Sequence, residues 1–185
     1  YSDISARNDW SSTISDPFFY PSISASFIPT SAFSELFKGS ILNYLKIRGG
    51  WAKIGNATTA YQTAAYYTSA ASTIGSVTQF YLPTTYPPKN LKPESVETWE
   101  LGLEGNLFNS RLGFDLAYYH KKTTDEIMQV TTSSATGYNA MLINAGKITN
   151  KGMEVQLNGT PIKTKDWAWN ITFNWSKDKS KIVEL

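Results

Sequence analysis

The chain has 185 residues, a formal net charge of +2 and no cysteine. That excludes a disulfide scaffold and a thiolate metal site, and the scattered Lys and Arg leave no electrostatic footprint for nucleic acid. Six Trp, eleven Tyr and nine Phe make a heavy aromatic load, yet mean hydropathy is −0.30 and no stretch approaches the ~20 apolar residues of a membrane-spanning helix. A spanning β-strand needs only ~10 residues, half of them facing water, so low hydropathy does not count against one. No Met, basic run or apolar leader opens the chain at Tyr1, so a targeting signal is expected upstream or removed.

Weak alternation at Ile4 and Ala6 precedes a strand from Tyr20 to Phe27, where Pro21, Ile23, Ala25 and Phe27 share one face and three serines the other. Between Pro29 and Asn43 the apolar spacing becomes helical (Phe33, Leu36, Phe37), which predicts one short helix in a connection, capped by Thr30 or Ser31. Alternation returns from Leu45 to Lys53. There Lys46 and Arg48 would each cost roughly 2–4 kcal/mol facing lipid at the bilayer midplane, so they are expected to face a lumen. Residues 55–93, rich in Thr, Ser, Tyr and Pro, are expected to be one long loop.

The segments 96–107 and 111–121 predict a hairpin with Asn109 and Ser110 as its two-residue loop. That register pairs Leu107 with Leu112, Gly105 with Phe114, Leu103 with Leu116 and Leu101 with Tyr118 on one face. On the other it sets Glu104 against Asp115, a like-charge pair that requires screening. A slip of one residue would scramble both faces. Residues 122–142 form a second long connection. A strand over 152–159 then sets Met153, Val155 and Leu157 against Glu154, Gln156 and Asn158. After a turn near residues 161–166, every second residue from Trp167 to Trp175 is large and apolar. At ~3.3 Å per residue and ~40° tilt, those two tryptophans stand about 20 Å apart along a barrel axis, near the height of an apolar band with an aromatic girdle at each edge.

The expected fold is therefore all-β: about seven antiparallel up-and-down strands of a larger transmembrane barrel. Short turns alternate with long loops, as periplasmic turns alternate with extracellular loops. The strand starting near Val96 runs inward and the one near Arg111 outward. Lys46, Arg48, Glu100, Glu104, Asp115 and Glu154 are the lumen-facing candidates. Tyr61, Tyr66, Tyr67, Tyr81 and Tyr86 are the candidates for contact with substrate or partner, because loops on a rigid scaffold carry function and tyrosine rings stack on sugars or bury against protein.

No catalytic, cofactor or metal site is predicted. His120 is the sole histidine, without partners for a triad or ligand set. The carboxylates Glu100, Glu104 and Asp115 fit a lumen wall better than a glycosidase pair. The rival of a different class is a soluble secreted β-sandwich or lectin-like module, in which Trp169, Ile171 and Phe173 would enter a shared core. A structural or adhesive barrel without a plug is the third.

The strings LKIRGGWAKIGN (45–56), LKPESVETWELGLEGNLFNSRLGFDLAYYHKKTTDEI (91–127), SSATGY (133–138) and INAGKITNKGMEVQLNGTPIKTKDWAWNITFNWSKDKSKIVEL (143–185) resemble the barrel of SusC/RagA-type TonB-dependent outer-membrane transporters. The resemblance implies about 22 strands around a plug and import of glycans or peptides in the outer membrane of a Gram-negative bacterium. The implied partners are a SusD-like surface lipoprotein, a TonB complex engaged through other parts of the protein, and outer-membrane lipid. Residues 1–185 would then be a partial barrel, with no plug or N-terminal domain among them.

Overall fold

The computed structural model describes residues 1–88 and 90–184, the side chains of residues 14–16, 72 and 73 excepted. In chain order the elements are β1 (Ser2–Ser11), β2 (Ile14–Phe27), helical turns α1 (Pro29–Ala32) and α2 (Ser34–Phe37), β3 (Leu42–Asn56), β4 (Thr68–Ile74), β5 (Val77–Tyr81) and β6 (Thr85–Tyr86). There follow β7 (Glu94–Leu107), β8 (Leu112–Thr124), β9 (Ile127–Thr131), a 3-10 turn (Ser134–Thr136), β10 (Ala140–Asn144), β11 (Lys147–Lys163) and β12 (Ala168–Glu184).

Seven of these strands form one sheet in the order β1-β2-β3-β7-β8-β11-β12, every pairing antiparallel. This is the up-and-down wall expected from the alternation. The hairpin register is the predicted one: Leu107 faces Leu112, Gly105 faces Phe114, Leu103 faces Leu116, and Glu104 faces Asp115. Phe108, Asn109 and Ser110 have φ of 54°, 55° and 62°, and the Arg111 amide donates to the Phe108 carbonyl at 3.2 Å. The ladder ends at Leu107 and Leu112, so the connection is residues 108–111 with three consecutive left-handed residues, where a two-residue loop of Asn109 and Ser110 was expected.

Because opposed residues share a face, the register runs apolar rows across the sheet. Phe27, Ile47, Leu103, Leu116, Val155 and Trp175 form one; Leu45, Gly105, Phe114, Leu157 and Phe173 form the next. No described residue covers this face: Leu101 is 62% and Phe173 54% exposed. A contiguous exposed apolar surface of this extent is what hydrocarbon covers in a barrel. The β-sandwich rival requires a second layer over Trp169, Ile171 and Phe173, and all three side chains are exposed. No helix among the described residues is long and apolar enough to cross a membrane, which says nothing about strands.

The aromatic edge of the band is stepped. Trp51 and Trp99 are opposed, Tyr118 lies one outward residue lower on β8, and Trp175 one lower again on β12. Four residues at ~3.3 Å over four gaps of ~4.8 Å correspond to a tilt of roughly 35°, within the range for barrel strands. Trp169 stands near the opposite edge, opposed to Ile162; Trp167 lies just outside β12, in the turn closed by the Thr164 amide on its carbonyl at 2.7 Å.

Several boundaries differ from expectation. The lead-in is a full strand, β1, because Ser2 to Asp9 find partners on β2 that weak local alternation does not reveal. The single predicted helix is two four-residue turns with Ile28 and Phe33 as caps and no side-chain cap bond. Thr30 instead accepts the Leu45 amide through Oγ1 at 3.1 Å. β11 continues past the predicted turn to Lys163, with an irregularity between Gly159 and Ile162 that accommodates Pro161. Both long loops contain strands. β4 and β5 form a hairpin turned at Gly75 and Ser76, and β6, β10 and β9 make a three-stranded sheet.

Candidate functional site

Both long connections leave the wall at the same end, after β3 and after β8, and there they build a platform. β10 runs parallel to β6, pairing Ala140 with Thr85, and antiparallel to β9. Asn144 fastens one connection to the other. Its Nδ2 donates to the carbonyls of Lys92 (2.8 Å) and Asp125 (2.9 Å), and its Oδ1 accepts the Lys92 amide at 2.7 Å. Glu94 adds a second tie by accepting the Ile127 amide at 2.9 Å. Leu91, Ala140 and Leu142, all in this platform, are the buried apolar residues among those described.

On the platform a cavity of about 290 Å³ is lined by Tyr61, Tyr66, Tyr81, Pro83, Gln129 and Leu142. Three of the five predicted contact tyrosines thus converge from separate segments, Tyr61 and Tyr66 edge-on at 5.9 Å between ring centroids. Tyr86 does not line the cavity but packs edge-on against Tyr138 at 5.2 Å. Tyr67 is exposed away from it. Sequence reasoning missed Tyr138 and Gln129. The local signal for Tyr138 was the run ending in Gly137, whose φ of 82° ends the 3-10 turn in a conformation glycine adopts without strain. Gln129 carried none, since its place depends on β9 pairing with β10. Phenol rings, amide and proline around a volume this small suit one sugar ring or one side chain, held by stacking and a few hydrogen bonds.

The six charged candidates share the wall's other face. Lys46 is opposed to Glu104, Glu104 to Asp115, and Glu154 to Ala117 in the row that carries Arg48. The like-charge pair expected at Glu104 and Asp115 is screened from within the sheet. Arg48 Nη1 donates to Asp115 Oδ2 at 3.1 Å, and Nη2 lies 3.1 Å from Oδ1. Arg48 Nε is 3.8 Å from Glu100, and Lys46 Nζ is 3.9 Å from Glu104. The guanidinium can lie flat because Gly102 is beneath it, and a Cβ there would collide with the Arg48 side chain. A cavity of about 380 Å³ opens beside this network, between Arg48, Asp115, Glu154, Gln156, Asn174 and Ser176. Glu154 has no ion-pair partner among the described residues. Those residues hold no cluster of potential metal ligands, and His120 sits on the apolar face opposed to Trp99 and Lys151.

A sheet with one face for hydrocarbon and one charged, ion-paired face, carrying its loops at one end, is the wall of a β-barrel. The family model described as TonB dependent receptor-like, beta-barrel matches residues 2–183, and the chain belongs to that family. It is 36% identical over 185 residues to the TonB-dependent receptor P26 of Formosa agariphila, covering 97% of this chain and 18% of that protein. To the TonB-dependent receptor SusC of Bacteroides thetaiotaomicron it is 31% identical over 153 residues, covering 79% of this chain and 15% of that one. The fold matches the RagAB peptide importer in its closed-closed state with a TM-score of 0.87 at 24% identity, covering all of this chain and 20% of that one. The chain therefore spans less than a fifth of the length of these two relatives. The family is one of outer-membrane receptors and transporters.

Proposed function

We propose that this chain is part of the barrel wall of an outer-membrane transporter that imports glycans or peptides in a Gram-negative bacterium. The observation that carries the reading is the two-sided sheet: an uncovered apolar band bounded by aromatic steps on one face, and the Lys46, Arg48, Glu100, Glu104 and Asp115 network on the other. In this reading the network lines the lumen, beside a plug supplied by other parts of the protein, and outer-membrane lipid covers the apolar band. The end with the long connections faces outside, so β7 runs inward and β8 outward.

The tyrosine cavity then lies at the outer mouth, where an incoming oligosaccharide or peptide, or a SusD-like lipoprotein above the barrel, would meet it. Energy would come from the inner membrane through a TonB complex acting on segments outside this chain. The wall anchors and encloses, the platform makes first contact, and no bond is made or broken.

The test uses cells carrying the full-length protein and labelled oligosaccharide and peptide mixtures. Uptake is expected to need the protein and to stop when the proton-motive force is dissipated. Replacing Tyr61, Tyr66 and Tyr81 together by Ala is expected to weaken capture while leaving the barrel in the outer-membrane fraction. Uptake that survives loss of the proton-motive force, or a protein recovered in the soluble fraction, would overturn the proposal.

A further inference from the structure

Beyond the stepped aromatic edge, the outward face of three neighbouring strands becomes cationic. On β8 the outward residues above Tyr118 are His120 and Lys122; on β11, above Met153, comes Lys151; on β12, above Trp175, come Lys177, Lys179 and Lys181. Their common face follows from the register. His120 is opposed to Trp99 and to Lys151, and Lys122 to Glu97 and to Thr149. Lys151 is opposed to Lys179, Thr149 to Lys181 and Met153 to Lys177. None of the six has a salt-bridge partner among the described residues. The acidic neighbour on this face, Glu97, accepts the Trp51 indole N–H at 2.8 Å. Asp178 points to the other face, where it accepts the Tyr119 hydroxyl at 3.1 Å.

Two features single this patch out. Lys151 directly opposite Lys179 is a repulsive cross-strand pair, which an anion between them would reverse. The patch also touches the apolar band: going up β12, Phe173 and Trp175 give way to three lysines on the same face, with the polar alternates Asn174, Ser176, Asp178 and Ser180 turned inward. Cations immediately above an aromatic girdle lie at headgroup depth, where each contributes about 1 kcal/mol of attraction to an anionic membrane surface.

We infer that the outward face of β8, β11 and β12 binds the phosphate-bearing headgroup of the outer-leaflet glycolipid, with Lys151, Lys179 and Lys181 as its centre. The inference rests on the proposed orientation, long connections outward, which puts the lysines in the outer leaflet. A phosphate on this surface would neutralise the Lys151–Lys179 repulsion while its acyl chains lay along Met153, Trp175 and Phe173. One ligand thus satisfies both halves of the face. A soluble anion would use only the upper half.

The experiment uses the full-length receptor in detergent, its fold confirmed by heat-modifiable migration, titrated with phosphorylated lipid A. Wild type is expected to bind, more weakly as salt rises, and lipid A stripped of phosphate is expected to bind poorly. Changing Lys151, Lys179 and Lys181 together to Gln should weaken binding roughly a hundredfold. Changing all three to Arg should preserve it, and Gln at Lys163 and Lys165, at the opposite end of the wall, should change nothing. Equal binding by the triple Gln variant, equal binding of dephosphorylated lipid A, or displacement by an equal concentration of inorganic phosphate would each overturn the inference. A receptor that shows no heat-modifiable barrel defeats the barrel reading on which the inference rests, and a lipid-binding barrel that fails to import defeats only the transport proposal.

Discussion

The wall and the platform at its rim are ordered by different physics. In the wall, long hydrogen-bonded ladders fix the backbone, and the register sorts the side chains: Phe27, Leu103 and Phe173 share the apolar face, and Arg48, Glu104 and Asp115 the charged one. The platform has the buried apolar side chains Leu91, Ala140 and Leu142 and is knotted by individual side-chain bonds, those of Asn144 above all. Every second wall residue is therefore constrained by its surroundings, whereas the platform is constrained at a few points and free elsewhere. Such an arrangement lets a contact surface vary without disturbing the scaffold that carries it.

The sharpest way to break the comparison is to put one charge in each region. Leu103→Arg, in the middle of the apolar face, is expected to cost about 2–4 kcal/mol in urea unfolding of the vesicle-reconstituted full-length protein. Arg at Gln129, on the tyrosine cavity, is expected to leave that transition in place and change only ligand capture. Equal losses would mean that wall and platform fold as one unit.

Next in size is Leu142→Ala. A buried leucine truncated to alanine costs about 2 kcal/mol where the surroundings can collapse, and more where they cannot. The loss should appear as faster amide hydrogen exchange confined to β6, β9 and β10, with β7 and β8 unchanged. Exchange that rises equally in the wall would remove the distinction between the two regions. A smaller effect is expected for Asn144→Ala. Its three bonds are exposed and water replaces them in part, so about 1 kcal/mol is expected, seen as a faster-exchanging Lys92 amide and looser ligand capture.

The same contrast explains what could be read from the residues alone. The hairpin register was legible to the residue, because Leu101, Leu103, Leu107, Leu112, Phe114 and Leu116 repeat with period two and a slip would bury charge in lipid. That the six charged candidates share one face was legible, but their pairing was not. That Arg48 reaches Asp115 two strands away depends on Gly102 leaving room between them. The platform was nearly illegible. β9 and β10 are five residues each and β6 only two, too short for a periodic signal, and they exist because distant segments pair. The Gly75-Ser76 turn between β4 and β5 carried a hairpin dipeptide, a signal that the expectation of one long loop passed over.

The smallest predicted effect tests how far the wall's inner face is a network and not a row of independent charges. Arg48 and Asp115 are each about one-third exposed, at 31% and 38%, so the pair is expected to contribute below about 1 kcal/mol. Arg48→Met removes the cation that separates Asp115 from Glu104 and Glu100, so the single variant should lose more than Asp115→Asn, which removes one of the competing negatives. Combining the two should recover part of the loss, a positive coupling measurable in a double-mutant cycle by urea unfolding in vesicles. High salt should shrink that coupling, since screening stands in for the missing guanidinium. Additive losses independent of salt would show that Arg48 acts on this face through its contact with Gly102 and not through its charge.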